Sequence, residues 1–323
     1  MTDSVSLGNV PRTPKYSICI INMNTEDTLE ASMRSVLPQL NNEFEVVIVD
    51  ESDDKSREIL IQLQREFPIV KNVFLDKNKK RTIGDARNIS IQEAQGDYCI
   101  MHIDCDDHWY PYIVEFVKVF ESLEEITGKD MLLAGHQINI AKKSFLLSHG
   151  PYRNVEHGED RDLWMRLAKL GRYQPIDHVP FFYRMDIGKA KTKKKAFLRT
   201  YWSVRDEIRG GVRLDTYVSQ IFQKDLVSNM KTRILRVVLY PFASLSSKSR
   251  PQLSSAGFFS NPEEWNEYKL KNGGLYGDIA KRHNKSEELS FLTPAGKWIF
   301  SNKRAETTIL DLPKTIKEDA DKS

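Results

Sequence analysis

Long apolar runs are missing from this chain: none of its 323 residues belongs to a stretch near the ~20 that a bilayer-crossing helix needs. The opening residues, MTDSVSLGNVPRTPK, have no apolar centre and do not read as a signal peptide. Cysteine is scarce. Cys19, Cys99 and Cys105 lie in or beside apolar runs without the paired spacing of a metal site, and are expected to be reduced and buried. Charge of one sign is also lacking: the formal net charge is +3, too little for wholesale affinity for nucleic acid. Basic residues do gather after residue 185, in KAKTKKK (189–195) and from Lys231 to Arg236, but no aromatic platform is interleaved with the first cluster. No internal repeat or low-complexity block occurs. A cytoplasmic protein, with no nucleic-acid partner, is the class these absences leave.

What is present suffices for a folded enzyme-sized body. Hydrophobic residues make up 40% and aromatics 10%, and the length suits one large domain with an appendage. Residues 1–14 read as a flexible tail. Tyr16 to Asn22 (YSICIIN), Phe44 to Val49 (FEVVIV), Val70 to Leu75 and Tyr98 to Ile103 are short apolar runs of the kind buried on both sheet faces. Between them, Thr25 to Leu40, Lys55 to Phe67 and Thr82 to Gln95 carry helical spacing. Strand and helix in alternation argue a mainly parallel, Rossmann-like sheet flanked by helices. Further on, Tyr112 to Leu123 and Glu159 to Leu170 read as helices, Met131 to Ile140 and Phe145 to Ser148 as hairpin strands, and Val179 to Tyr183 as a strand. Residues 15–187 form the expected α/β domain and 188–323 a mostly helical region with a disordered extreme end.

Ligands of such sheets bind beyond the carboxyl ends of the strands, where the topology switches. Asn22–Asn24, Asp50–Asp54 and Asp104–Asp107 all fall there. The last group is the sharpest: GDYCIMHIDCDDHWYP (96–111) ends an apolar strand in three carboxylates within four residues. Crowded ionised carboxylates repel one another and resist burial, so a cation, a set of donors or open water must compensate them.

Five segments in order carry a resemblance: TEDTLEASMRSVLPQ after the first strand, VVIVDESDDKSREIL, GDARNISIQEAQGDY, IDCDD and HGEDRDLWMRLAKLG. Together, over residues 16–185, they resemble the family 2 glycosyltransferases, inverting enzymes of the GT-A fold that use nucleotide-sugar donors. The resemblance implies a metal-binding Asp-x-Asp motif at Asp104–Asp106, with Asp106 on Mn2+ or Mg2+ and Asp104 toward the ribose or sugar. An extended segment would turn both side chains to one side, and hard oxygen donors suit those ions. It further implies Asp50 as acceptor for the nucleobase, with Asn24 and, less directly, Glu51 beside it. Gly84 and Arg87 match the segment whose helix start lies close to the donor, where Arg87 would meet an acid or a phosphate. Asp160 matches the general base of an acidic pair. Glu159 and Asp162 are its alternates, Asp162 being suited to pair with Arg166 one turn on, and Asp107 is a further candidate site residue.

The function implied is metal-assisted, inverting transfer of a sugar from a UDP- or GDP-sugar to a hydroxyl of a glycan or lipid-linked acceptor. A sugar nucleotidyltransferase is the rival on a similar fold, but it would want a glycine-rich loop after the first strand, and Asn22–Asp27 has none. A non-catalytic nucleotide-sugar binder would not need both the Asp-x-Asp acids and the Glu159–Asp160 pair. Val227 to Leu245 mixes Lys231, Arg233 and Arg236 with apolar residues. Such a segment either lies on an anionic membrane surface, at its cytoplasmic face, or packs on the catalytic domain with its basic side in water.

Overall fold

The computed structural model describes residues 13–313 except 79–80, 156–157, 186–192, 223–229, 251, 254–261 and 305–306. Most of the expected N-terminal tail, the KAKTKKK cluster up to Thr192 and the extreme C-terminal end lie outside the described residues.

Seven strands form one sheet: β1 (Tyr16–Asn22), β2 (Phe44–Asp50), β3 (Val70–Phe74), β4 (Tyr98–Met101), β6 (Leu132–Ala134), β7 (Asn139–Lys142) and β8 (Tyr173–Pro175). Their order is β3-β2-β1-β4-β7-β6-β8. The pairs among β1 to β4, and β6 with β8, are parallel; β7 runs antiparallel to both its neighbours. The remaining strands, β5 (Asp107–Trp109) and β9 (Phe182–Arg184), form a separate antiparallel pair. Alternation along the strands explains the continuous apolar runs. Ile18, Ile20, Val46, Ile48 and Ile100 face one core, Cys19, Val47, Cys99 and Met101 the other, so both sheet faces are buried. The three cysteines are free and buried, as expected.

Helices α1 (Leu29–Val36), α2 (Ser56–Glu66), α3 (Ile83–Glu93) and α4 (Ile113–Thr127) follow β1, β2, β3 and β5. Later come α5 (Lys143–His149), α6 (Glu159–Lys169), α7 (Lys193–Arg209), α8 (Leu214–Phe222), α9 (Met230–Ser247), α10 (Pro262–Asn272), α11 (Tyr276–Arg282) and α12 (Pro294–Ser301). The fold is thus, as expected, a mainly parallel sheet flanked by helices with a mostly helical C-terminal region. Helices α11 and α12 return to the sheet's own core, with Tyr276, Ile279, Ile299 and Phe300 buried among the α4 residues Phe116, Val119 and Phe120.

Four local expectations are corrected. Phe145 to Ser148 is helix α5, not a strand: β7 pairs with β4 only as far as Lys142 opposite Tyr98, and Phe145 and Leu146 are adjacent rather than alternating. Met131 to Ile140 is not one strand. It contains the hairpin of β6 and β7, turning at Gly135–Ile138 with Gln137 at φ 59°. Strand β4 stops at Met101, because His102 takes φ 71° and swings the chain out of the sheet. The strand expected at Val179 to Tyr183 lies at Phe182–Arg184, and that shift places an arginine at the site described next.

Candidate active site

Because β2 and β3 extend the sheet on one side of β1 and β4 lies on the other, the carboxyl ends of β1 and β4 flank the switch point. At the β1 end, the Asn22 amide donates to Asp50 Oδ1 (2.7 Å) and to Ser52 Oγ (3.1 Å), and the Ser52 hydroxyl donates to Asp50 Oδ1 at 2.6 Å. Asn24, at φ 57°, joins the same loop: its backbone N–H donates to Ser52 Oγ (2.9 Å), and its side-chain oxygen accepts from the Asp53 N–H at 3.0 Å. Asp50 is fully buried, yet among the described residues its Oδ2 accepts no hydrogen bond, although Arg57 Nε lies 3.3 Å away as an ion-pair partner. An orphaned buried acceptor at a ligand rim is the chemistry a donor N–H of a bound base would satisfy. Glu51 is committed elsewhere, to Arg81.

At the β4 end, the three carboxylates meet through a turn rather than along an extended segment. The Asp107 N–H bonds the Asp104 carbonyl at 3.2 Å, and one carboxylate oxygen from each of Asp104, Asp106 and Asp107 lies within 4.8 Å of the others. Asp107 is wholly buried, and burial pushes its pKa up to about 6 although Arg184 works the other way. Burial likewise raises Asp104, against the pull of Arg87. The Gln137 amide, offered by the β6–β7 turn, donates to Asp104 Oδ2 at 2.6 Å. Hard oxygen donors converging at this separation, partly open to solvent, fit a divalent cation such as Mg2+ or Mn2+.

The third group comes from α6, entered through Gly158 at φ 83°. Glu159 is buried and accepts from Arg87 Nε of α3 at 3.1 Å, with the guanidinium 5.8 Å from the Tyr152 ring centroid. So Arg87 meets an acid. Burial opposes its charge, but the nearby Tyr152, Glu159, Asp104 and Asp160 outweigh this and hold its pKa above the usual value. One buried guanidinium therefore feels both the Asp104 end of the β4 acids and Asp160 of α6, residues distant in sequence. Asp160 is half-buried and accepts the Arg161 N–H at 2.6 Å. Asp162, in contrast, is fully buried between Arg153 and Arg166, the latter at 3.0 Å, and faces the structure rather than the rim. What lies against Gly84 is the chain itself: a Cβ there would stand 2.6 Å from the Arg153 carbonyl oxygen.

Two site residues carried no sequence signal. Gln137 sits in an undistinguished turn, and Arg184 follows an ordinary aromatic run, 80 positions beyond Asp104. A third unforeseen feature ties α6 to the C-terminal helices. Glu207 of α7 is buried and bonded by Arg161, by Arg236 of α9 and by the Tyr217 hydroxyl of α8 (2.6 Å). Burial alone would raise its pKa, but Arg236 and Arg161 hold it well below the carboxylate range. Arg233 is buried as well, so this part of the α9 basic face turns inward rather than to water or membrane.

Comparison with known proteins gives the following. Residues 17–128 match the family model described as glycosyl transferase family 2. An uncharacterized glycosyltransferase, alr2836 of Nostoc sp., is 32% identical over 114 residues, 35% of this chain but only 34% of that relative's length. WfaP of Escherichia coli, a UDP-Glc:alpha-D-GlcNAc-diphosphoundecaprenol beta-1,3-glucosyltransferase, is 25% identical over 205 residues, covering 55% of this chain and 80% of WfaP. Among solved structures, the mannosyltransferase PcManGT of Pyrobaculum calidifontis in complex with GDP-Man and Mn2+ superposes with a TM-score of 0.45 at 12% identity, over 84% of this chain and 85% of its own. Over the segment from β1 to α4, about a third of its length, the chain is similar to the family 2 glycosyltransferases.

Proposed function

We propose that this protein transfers a sugar, with inversion, from a nucleoside-diphosphate sugar to a hydroxyl of a glycan or lipid-linked acceptor. Three observations support the reading: Asp104, Asp106 and Asp107 converge in one turn, Asp50 ends β2 bonded to Asn22 at the end of β1, and the buried Arg87, paired with Glu159, feels the charge of both Asp104 and Asp160. Asp50 Oδ2 would accept from the base of a UDP or GDP moiety. Asp106, with Asp104 and Asp107, would hold Mn2+ or Mg2+, which when bound neutralises charge on the departing diphosphate. Asp160 takes the acceptor's hydroxyl proton as the new oxygen–C1 bond forms. The old C1–oxygen bond breaks, and its electron pair leaves with the nucleoside diphosphate. Glu159 takes no proton in this scheme. Its ion pair with Arg87 fixes the start of α6, and so the place of Asp160, by the positioning on which such catalysis rests.

Our reading puts the acceptor at a membrane surface; the acceptor in the name of the E. coli relative is an alpha-D-GlcNAc-diphosphoundecaprenol. Met230, Ile234, Val238, Phe242 and Leu245 are exposed on one face of α9, and Leu214, Val218 and Phe222 on α8. Exposed Arg213, Lys231 and Lys248 accompany them, which suits anionic lipid. No described helix is long and apolar enough to cross a bilayer.

Screening UDP- and GDP-sugars with Mn2+ for thermal stabilisation, wild type against Asp106→Ala, tests the donor site. One donor should raise the melting temperature of the wild type only. A panel in which none does so removes the donor assignment. Sedimentation with anionic and neutral vesicles tests the surface. Phe222→Glu with Phe242→Glu should abolish pelleting with anionic vesicles, whereas a dimer in light scattering that this variant dissolves would assign the face to a second copy.

A further inference from the structure

The β4 carboxylates are already compensated, and by the chain itself. Arg184 donates from Nε to Asp107 Oδ1 (2.9 Å) and from Nη2 to Asp107 Oδ2 (3.2 Å). The same Nη2 lies 3.3 Å from Asp104 Oδ2 and 3.5 Å from Asp106 Oδ1. One guanidinium thus touches all three acids that the reading above gives to the divalent cation. Its backbone is pinned. Arg184 pairs with Asp107 in the β5–β9 ladder, the following Met185 N–H bonds the Asp106 carbonyl at 2.9 Å, and Phe182 two residues back stacks on buried Trp109 at 5.1 Å. The side chain, by contrast, is half exposed, so solvent and a bound anion can reach the guanidinium.

We propose that Arg184 is the resident counter-ion of this site: it competes with the divalent cation for the carboxylates of Asp104, Asp106 and Asp107, and a nucleoside diphosphate relieves the competition by drawing the guanidinium away. Two cations cannot share these oxygens without repulsion, so the metal alone binds weakly. Arriving with a diphosphate, it meets a site whose arginine has an anionic partner of its own, since guanidinium pairs with phosphate oxygens as readily as with carboxylate. Metal and nucleotide binding become positively coupled, and by linkage each strengthens the other by the same factor. Asp107 has a distinct part in this: fully buried and holding Arg184 by two bonds, it is the hinge point of the counter-ion. The inference rests on the metal reading of the three acids.

Mn2+ binding, followed by electron paramagnetic resonance and titration calorimetry with and without UDP or GDP, separates the two. The wild type should bind Mn2+ weakly alone and roughly tenfold or more tightly with nucleoside diphosphate. Arg184→Gln should bind Mn2+ alone more tightly than the wild type, with the nucleotide gain much reduced. Arg184→Lys keeps the charge without the fork and should fall between; it also serves if the glutamine variant does not fold. Wild-type Mn2+ affinity and an unchanged nucleotide gain in the folded variants would overturn the role of Arg184 while leaving the metal site standing. Absence of Mn2+ binding from folded wild type and variants alike, with or without nucleotide, would remove the metal reading and this inference with it.

Discussion

Removing Arg87 should cost the fold several kcal/mol at neutral pH, and the cost should shrink in acid. Arg87 and Glu159 are both buried, 3.1 Å apart, and join α3 to α6. Replacing Arg87 by Met keeps the volume of the stem but leaves a buried carboxylate without its cation. Breaking such a pair costs about 3–5 kcal/mol. Glu159 has an escape, which sets a ceiling: it can take a proton. From its ordinary value of 4.5, neutralisation at pH 7 costs about 1.36 × 2.5, or about 3.4 kcal/mol. The sign follows from the burial that already raises Glu159 in the wild type, against the pull of Arg87. Without Arg87 the folded pKa climbs further above the unfolded one, so the variant's deficit is small near pH 4.5 and grows as pH rises. Between pH 7 and 5.5 the gap to the wild type should close by up to about 2 kcal/mol. Urea denaturation followed by tryptophan fluorescence at both pH values measures it. Glu159→Gln should cost less at pH 7, because Asp104 and Asp160 still accompany the Arg87 charge. A deficit for Arg87→Met below about 1 kcal/mol at pH 7, or one equal at both pH values, would refute the argument.

Asp160→Asn should leave the melting temperature and donor binding nearly unchanged while slowing transfer by about 10²–10⁴-fold, read by release of nucleoside diphosphate. Asp162→Asn should do the opposite. It uncouples Arg153 and Arg166 from a fully buried partner and should lower stability by about 3–5 kcal/mol in denaturant titration. His178 is buried with its Nε2 accepting from the His136 N–H (3.0 Å) and its Nδ1 against the Val179 carbonyl (2.9 Å), so the neutral Nδ1–H form fits. Burial, then His136, push its pKa down to about 3, with the Val179 carbonyl and Asp177 opposing and Arg304 adding to the push. A depressed histidine contributes stability above its unfolded pKa near 6.5, lost as pH falls toward 3. Between pH 6.5 and 4.5 this amounts to roughly 2 kcal/mol, and His178→Gln should flatten the urea-midpoint profile by that share.

How much of this was legible in the sequence depended on the range of the interactions involved. The first four strands and their helices were readable because each face of the sheet buries every second residue, and local periodicity reports that directly. The acids at Asp50, Asp104–Asp107 and Glu159–Asp160 were readable as residues, since each ends or begins an element. Their electrical balance was not. Arg184 reaches Asp107 through two three-residue strands, too short to leave a periodic trace, and the pairing is set by Trp109 and Phe182 finding the same core. Helix α9 shows the same limit from the other side. Ile234, Leu235, Val237, Val238 and Leu239 line it nearly all round, so hydrophobic pattern alone leaves two orientations open. A single buried acid on α7 chooses between them: Glu207 requires cations, and Arg236 with Arg161 supplies them. Satisfying that one charge turns Arg236, and with it the buried Arg233, inward and leaves Met230, Ile234, Val238, Phe242 and Leu245 outside. The apolar face assigned to the membrane is therefore a consequence of the ion cluster that anchors α6, and with it Asp160, to the C-terminal helices. Disrupting Glu207 should disturb both vesicle binding and the proposed base Asp160, read as lost pelleting with slowed transfer, whereas charge placed on Phe242 should lower pelleting alone.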